Sequence, residues 1–356
     1  MGKLIDRIMR GQFTLIAEIG VNYYDIATQR NLSLMNAAKL MCYEAAKAGA
    51  HAVKFQSYKA ETLASKQSPA YWDINEESTQ SQYELFKKYD SFGAVEYTEL
   101  ANYCKKIGID FLSTAFDYES ADYLEPLMNI YKISSSDLTN LPFIEYQAKK
   151  NKPMIMSVGA SELSEMKEAV GVVRKVNSQP LVLCHCVLEY PTPYKDANLS
   201  RIATLKAEFP DLIIGYSDHC KPDVSYDVIK TAYVLGAHVV EKHFTLDKML
   251  IGNDHYHAMD PDDVRGIISG VEHIEELLGS SHLGFSKTEQ AARVNARRSI
   301  VAACDILKGT TITREMLTFK RPGTGIAPSR IGFVIGKRAA RNIQSDTILQ
   351  ESDLAK

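Results

Sequence analysis

The chain has 356 residues, 45% of them hydrophobic and 24% charged, and a formal net charge of −3. That length suits one large domain with a smaller companion, and the charge gives no case for a nucleic-acid or anionic-membrane partner. An anionic substrate therefore has to be held by locally placed cations.

The N-terminal run MGKLIDRIMRGQF lacks the apolar core and small-residue cleavage site of a secretory signal. No apolar run approaches the roughly 20 residues needed to span a bilayer. Beyond it, short β-like runs alternate with helical stretches through eight rounds. The strands are predicted at 14–20, 51–56, 109–116, 130–136, 153–159, 181–187, 212–219 and 238–244. Helical segments such as NLSLMNAAKLMCYEAAKAGA, AVEYTELANYCKKIG, SEMKEAVGVVRKV and DVSYDVIKTAYVLGA lie between them, several ending at glycine, a frequent helix stop. Such alternation implies parallel strands with helical crossovers. Eight units predict a (β/α)8 TIM barrel, typically ~250 residues. A doubly wound open sheet is the alternative, and the lack of GxGxxG after the first strand counts against a dinucleotide-binding version of it.

The predicted strands share a polarity, beginning apolar and ending polar: Glu18, Lys54 and Gln56, Ser113 and Thr114, Lys132 with Ser134 and Ser135, Ser157, His185, Asp218 with His219, and Lys242 with His243. Barrel enzymes build their active sites at the C-terminal strand ends. One long loop, from Ser57 to Gly93, carries the sole tryptophan, Trp72; a lid and an oligomer contact are equally good readings of it. Cys42, Cys104, Cys184, Cys186, Cys220 and Cys304 include no CxxC pair and read as small core residues in a reducing cytoplasm. The barrel is expected over residues 1–280, a polar linker over 281–298, and a small mostly-β module with Lys-Gly and Pro-Gly turns over 299–356.

His219 and His243 end adjacent predicted strands, where two imidazoles suit a divalent transition metal with open positions. Lys54 and Lys132 stand among Thr114, Ser134, Ser135 and Ser157, a cradle for a phosphate or carboxylate; a Schiff-base lysine is the competing role. Glu18 and Asp254 are the acids placed to orient or deprotonate a hydroxyl or water.

Taken together, AEIGVN, VKFQ, FLSTAFD, YKISSSD, HCVLEYPTPY, IGYSDH, EKHFTLDK and KRPGTGI resemble, in order, the sialic acid synthase family from about Phe13 to the C-terminus. The resemblance implies a metal-dependent barrel followed by an antifreeze-like (SAF) domain. It also implies a domain-swapped homodimer and condensation of phosphoenolpyruvate with an N-acetylmannosamine-type aldehyde, releasing phosphate. It gives His219 and His243 as metal ligands, with manganese first and magnesium or cobalt as alternatives. Lys54, Thr114, Lys132, Ser135, Ser157 and Ser217 match positions that hold phosphoenolpyruvate. Glu18, Gln56, Tyr190 and Asp254 match positions around the sugar, and Phe116 and Asp137 join the substrate-binding set. Arg321 matches an arginine that reaches the sugar's acyl group from the partner's small domain.

The chain departs from the family pattern at Tyr23, at Asp137 (one methylene shorter than the usual glutamate) and at Leu188, which cannot donate the hydrogen bond an asparagine would. These changes bear on the sugar, whether N-acetylmannosamine, its 6-phosphate or a 2,4-diacetamido trideoxy sugar. A Schiff-base aldolase and a non-catalytic carbohydrate-binding protein are the competing functions. His255 and His257 carry no matching role and are expected to lie outside the metal shell.

Overall fold

A computed structural model describes residues 3–72, 74, 77–252 and 254–355; Asp73, Asn75 and Glu76 of the long loop and Asn253 of the last barrel loop lie outside the described residues. Eight parallel strands close into a barrel in sequence order: β1 (Thr14–Gly20), β2 (Ala52–Ser57), β3 (Asp110–Ala115), β4 (Tyr131–Ile133), β5 (Met154–Ser157), β6 (Leu181–Cys186), β7 (Ile213–Asp218) and β8 (Val239–His243). β1 closes the ring by pairing with β8, placing Glu18 beside His243 on one side and Lys54 on the other. The ladder breaks register between Glu18 and Gly20. Gly20 has φ +55°, and a side chain there would press on the Gln56 amide and the Glu18 carboxylate.

Alternation along each strand decides what goes where. The barrel floor is filled by Ile16, Ala52, Leu112, Ile130, Ile155, Val182, Cys184 and Val239. It is plugged from below by Leu4, Ile5 and Ile8 of the helix Lys3–Met9. That helix was not foreseen, although apolar residues at positions 4, 5 and 8 mark one helical face. The larger core lies between the strands and the surrounding helices. Tyr23, Tyr131, Tyr216, Phe55, Phe143 and Phe244 are among its bulkiest members, each about 2% exposed or less.

Alternation also corrects part of the polar-strand-end reading. Asp218 and Lys242 neighbour each other in the β7–β8 ladder and point away from the mouth residues that flank them. Lys242 Nζ lies 2.6 Å from Asp218 Oδ2 and donates to the Cys220 carbonyl at 2.5 Å. Asp218 also accepts from the Tyr216 hydroxyl and the Cys220 amide. His185 stacks on Tyr216 and bonds the Ala197 carbonyl through Nε2. Ser113 pairs with Ser57. These polar groups are internally matched and belong to the wall.

The contacts divide the chain at Gly279/Ser280. The second unit pairs β9 (Ser299–Ala302) antiparallel with β10 (Leu317–Lys320). It surrounds a small core of Ile300, Ile306, Ile312, Leu317, Ile343 and Leu349. Its leading segment, expected as a plain linker, holds a short helix, Gln290–Asn295, whose Val294 carbonyl accepts from the Gly323 amide. All six cysteines are free, and among the described residues no helix is long and apolar enough to cross a membrane.

Removing one member of a buried ion pair leaves the other charge uncompensated. Lys242→Met is therefore expected to destabilise the barrel by about 3–5 kcal/mol, read as the loss in chemical-denaturation free energy against the wild type.

Candidate active site

Inward positions near the strand ends carry the polar residues that the wall does not use. Glu18, Lys54, Lys132 and Glu241 are all buried in the upper barrel. Lys54 Nζ lies 2.6 Å from Glu18 and 3.6 Å from Glu241, and donates to Thr114 Oγ1 at 2.9 Å. Lys132 Nζ lies 3.5 Å from Glu241. The Gln56 amide donates to the other Glu18 oxygen at 2.9 Å. Burial raises the Glu18 carboxyl to about 7 against the pull of Lys54, so this group exchanges a proton close to neutrality. Glu241 is held low because the two lysines outweigh its burial, and Lys54 is held high by the two carboxylates despite its own.

These side chains line a narrow polar recess of about 60 Å³ together with Ser135, Ser157, Ser217, Cys186 and His219. The Ser157 hydroxyl and one oxygen of Glu241 are buried without a hydrogen-bond partner among the described residues. Ser217 reaches Glu241 only at 3.4 Å, and Ser135 accepts from the Gly159 amide at 2.9 Å. Buried polar atoms left unmatched mark places where a ligand supplies the partner.

A larger cavity of about 500 Å³ shares Gln56, Phe116, Ser134, Leu188, Tyr190 and His243 with the recess. The long loop furnishes much of its wall through Tyr58, Leu63, Tyr71, Trp72, Glu77, Phe86 and Tyr89. That places the loop at the site. Asp137 and Asp254 also line it, and burial raises both carboxyls.

The loop after β8 folds over the histidines. His219 gives Nδ1 to the Val187 carbonyl at 2.7 Å, which leaves Nε2 as its free acceptor. The Tyr190 ring packs on it at 4.1 Å between centroids. His243 and His257 lie 4.9 Å apart by ring centroid, and His219 lies 5.5 Å from His243. Donor atoms of His243, Asp254 and His257 all fall within 4.8 Å of one another. Burial and the neighbouring imidazoles hold His243 and His257 well below the usual histidine range, so both are neutral and able to donate a lone pair. His255 is apart from this group, bonded to Thr245 and Asp25.

The structure thus brings Glu18, Lys54, Gln56, Thr114, Phe116, Lys132, Ser135, Asp137, Ser157, Tyr190, Ser217, His219, His243 and Asp254 to the two adjoining cavities, and leaves Ser113, His185, Asp218 and Lys242 outside them. Glu241, Cys186 and His257 were missed. Glu241 and Cys186 could have been found from strand alternation, since each lies two residues from an assigned inward side chain or recess wall; His257 could not. Arg321 belongs to the second unit, exposed at the cis Arg321–Pro322 peptide.

Comparison with known proteins is consistent with this geometry. The NeuB family model matches residues 41–283 and the SAF domain model residues 297–355. An N,N'-diacetyllegionaminic acid synthase of Legionella pneumophila is 39% identical over 94% of this chain and 92% of its own length. The N-acetylneuraminate-9-phosphate synthase of Mus musculus is 32% identical over 95% of this chain and 92% of its own. The crystal structure of the sialic acid synthetase of Leptospira borgpetersenii, in complex with citrate, superposes with a TM-score of 0.66 at 32% identity, covering 79% of this chain and 90% of that one. The chain therefore belongs to the NeuB family and is a synthase of that type.

Proposed function

We propose that the protein condenses phosphoenolpyruvate with the open-chain form of an unphosphorylated N-acylated mannosamine-type sugar, giving a nine-carbon 2-keto acid and phosphate. The observation that carries this reading is a division of charge at the barrel mouth. Lys54 and Lys132 both line the narrow recess, whereas the larger cavity is lined by Glu77, Asp137 and Asp254 and, among the described residues, by no lysine or arginine. The recess suits the trianionic substrate and the cavity a neutral one.

In the reaction, the enol π pair of phosphoenolpyruvate forms a bond from its C3 to the aldehyde carbon, and the aldehyde oxygen takes up a proton. Water adds to C2 and loses a proton. The bond from C2 to the bridging oxygen then breaks as the C2 hydroxyl gives up its proton, which the departing phosphate takes up, leaving inorganic phosphate and the 2-keto group. Lys54 and Lys132, fixed by Glu241, hold the anion against the Thr114, Ser135, Ser157 and Ser217 hydroxyls. Glu18 stands beside Lys54 with a carboxyl that titrates near 7, suited to carrying a proton. Fixed charges around a developing charge lower its cost because nothing has to reorganise, and side-by-side sites hold both substrates in line.

His219 and His243 are the residues that would hold a divalent metal, with Asp254 next to His243 at 3.3 Å. Bound there, such an ion supplies Lewis-acid polarisation of a carbonyl oxygen. Imidazole donors favour manganese or cobalt over magnesium, which prefers oxygen ligands. The family resemblance supports a domain-swapped homodimer in which Arg321 from a second copy reaches the acyl group. Free cysteines throughout support a reducing cytoplasm.

Within the neutral sugars, a 2,4-diacetamido trideoxy sugar is the reading favoured by the aromatic and aliphatic lining, Tyr71, Trp72, Phe86, Phe116 and Leu188. Methyl and acetyl groups suit such walls better than free hydroxyls do. The similarity to the Legionella synthase points the same way.

Phosphate release measured with phosphoenolpyruvate and each of the three sugars tests the assignment. The two neutral sugars are expected to exceed the 6-phosphate in kcat/KM by at least ~100-fold, about 2.8 kcal/mol. Comparable turnover of the 6-phosphate would overturn it. A chelator is expected to abolish release, manganese to restore it, and magnesium to restore less. Lys132→Met is expected to raise the KM for phosphoenolpyruvate by at least ~30-fold, about 2 kcal/mol, with a much smaller change in the sugar's KM. An equal effect on both substrates would remove Lys132 from the anion site.

A further inference from the structure

We propose that His257 is a third protein ligand, beside His243 and Asp254, to the metal ion at the barrel mouth; this rests on the metal-dependent reading above. The family resemblance assigns this residue no role. The argument starts from its surroundings. His257 has no measurable solvent exposure, and neither ring nitrogen has a hydrogen-bond partner among the described residues. Leaving both polar atoms of a buried imidazole unmatched is costly, on the order of 1–3 kcal/mol for each lost bond, unless something absent from the protein itself meets them.

The neighbouring histidine shows what a structural imidazole looks like in the same loop. His255 is equally buried, yet its Nδ1 lies 2.7 Å from Thr245 Oγ1 and its Nε2 lies 3.1 Å from Asp25. Both of its nitrogens are matched, and it ties the loop to the barrel.

His257 has a different geometry. Its Nε2 is 3.7 Å from Asp254 Oδ1, too long for a hydrogen bond. The other oxygen of the same carboxylate is 3.3 Å from His243 Nδ1. One carboxylate thus sits between two neutral imidazoles, an oxygen toward each. Distances slightly beyond hydrogen-bond contact, among donors that all lie within 4.8 Å of one another, leave room for an ion between them. Rings of Tyr190 and Tyr256, at 5.6 and 4.9 Å, fix the imidazole plane. Two histidines and one carboxylate on one side of an ion leave the opposite positions open for substrate oxygens. His219, 6.1 Å from His257 and 5.5 Å from His243 by ring centroid, borders this group and keeps its place as a ligand, so that His257 adds to the His219–His243 pair.

The arrangement also has a mechanical consequence. His243 ends β8, whereas Asp254 and His257 belong to the loop beyond it. An ion shared by the three fastens that loop to the barrel, so binding energy is in part loop-ordering energy.

The test is Mn2+ binding to the metal-free full-length protein, followed by calorimetry and by the electron paramagnetic resonance of free Mn2+. His257→Ala is expected to weaken Mn2+ at least tenfold relative to the wild type, with an unchanged circular dichroism spectrum. Wild-type affinity in a folded His257→Ala protein overturns the proposal. Should that variant not fold, wild-type crystals soaked with Mn2+ decide. An anomalous peak roughly 2.0–2.3 Å from a His257 nitrogen supports it, and an ion held by His219 and His243 with His257 beyond contact overturns it. Intact Mn2+ binding through His257 in a protein without synthase activity would remove the functional reading and leave this one standing. Synthase activity with unaltered metal affinity in His257→Ala would do the reverse.

Discussion

The site depends on four charged side chains buried inside one ring of strands. Glu18, Lys54, Lys132 and Glu241 are each less than a tenth exposed. Burying charges is affordable only where they compensate one another, because the desolvation cost of each ion is several kcal/mol. Here Lys54 lies between two carboxylates and Glu241 between two lysines, so every charge has at least one opposite neighbour. The compensation is incomplete in a useful way. One oxygen of Glu241 and the Ser157 hydroxyl stay unmatched, and Glu18 is left near its titration midpoint at neutral pH. A cluster with every bond satisfied would gain nothing from an incoming anion. This one can exchange internal ion pairs for contacts to phosphate and carboxylate.

The same strands carry a second buried polar set with the opposite character. Asp218, Lys242, Tyr216 and the Cys220 backbone partner one another. Lys242 and Glu241 are neighbours in sequence, yet one belongs to a closed structural network and the other to a site awaiting a ligand. What separates them is the two-residue period of the strand, which turns alternate side chains to opposite faces. Local composition cannot make this distinction, and the count of unmatched atoms can.

This explains how much was legible in the sequence. Regular alternation of strand and helix gave the barrel and all eight strands to within a few residues, because parallel strands buried on both faces read as short apolar runs. The inward residues Lys54, Thr114, Lys132, Ser157 and His243 were legible because the chain becomes polar where it leaves the core, and Ser217 only through the family resemblance. Reading all polar strand ends as mouth residues went too far: Asp218, Lys242 and His185 face the helical layer. Glu241 was legible in principle from its spacing to His243. Loop contributions were not. Tyr71, Trp72 and Tyr256 meet the cavity through loop conformations that carry no periodicity, and nothing in HYHAMD separates His255 from His257 before Asp25 and Thr245 are seen to claim the first.

The two parts of the mouth therefore do different electrostatic work. A recess with two lysines suits an anion, and Lys54, lying between Glu18 and Glu241, also keeps those two carboxylates from facing each other uncompensated. The larger cavity offers carboxylates, aromatic rings and no cation among the described residues, so an anion entering there meets repulsion without a compensating contact. Opposite preferences at adjoining sites keep two substrates from exchanging places, which a single uniformly basic pocket could not do. His243 and His257 stand between these fields, held toward the neutral form by burial and by the neighbouring imidazoles. Neutral imidazoles at that boundary disturb neither field and leave their lone pairs available, as the proposed metal-dependent reading requires.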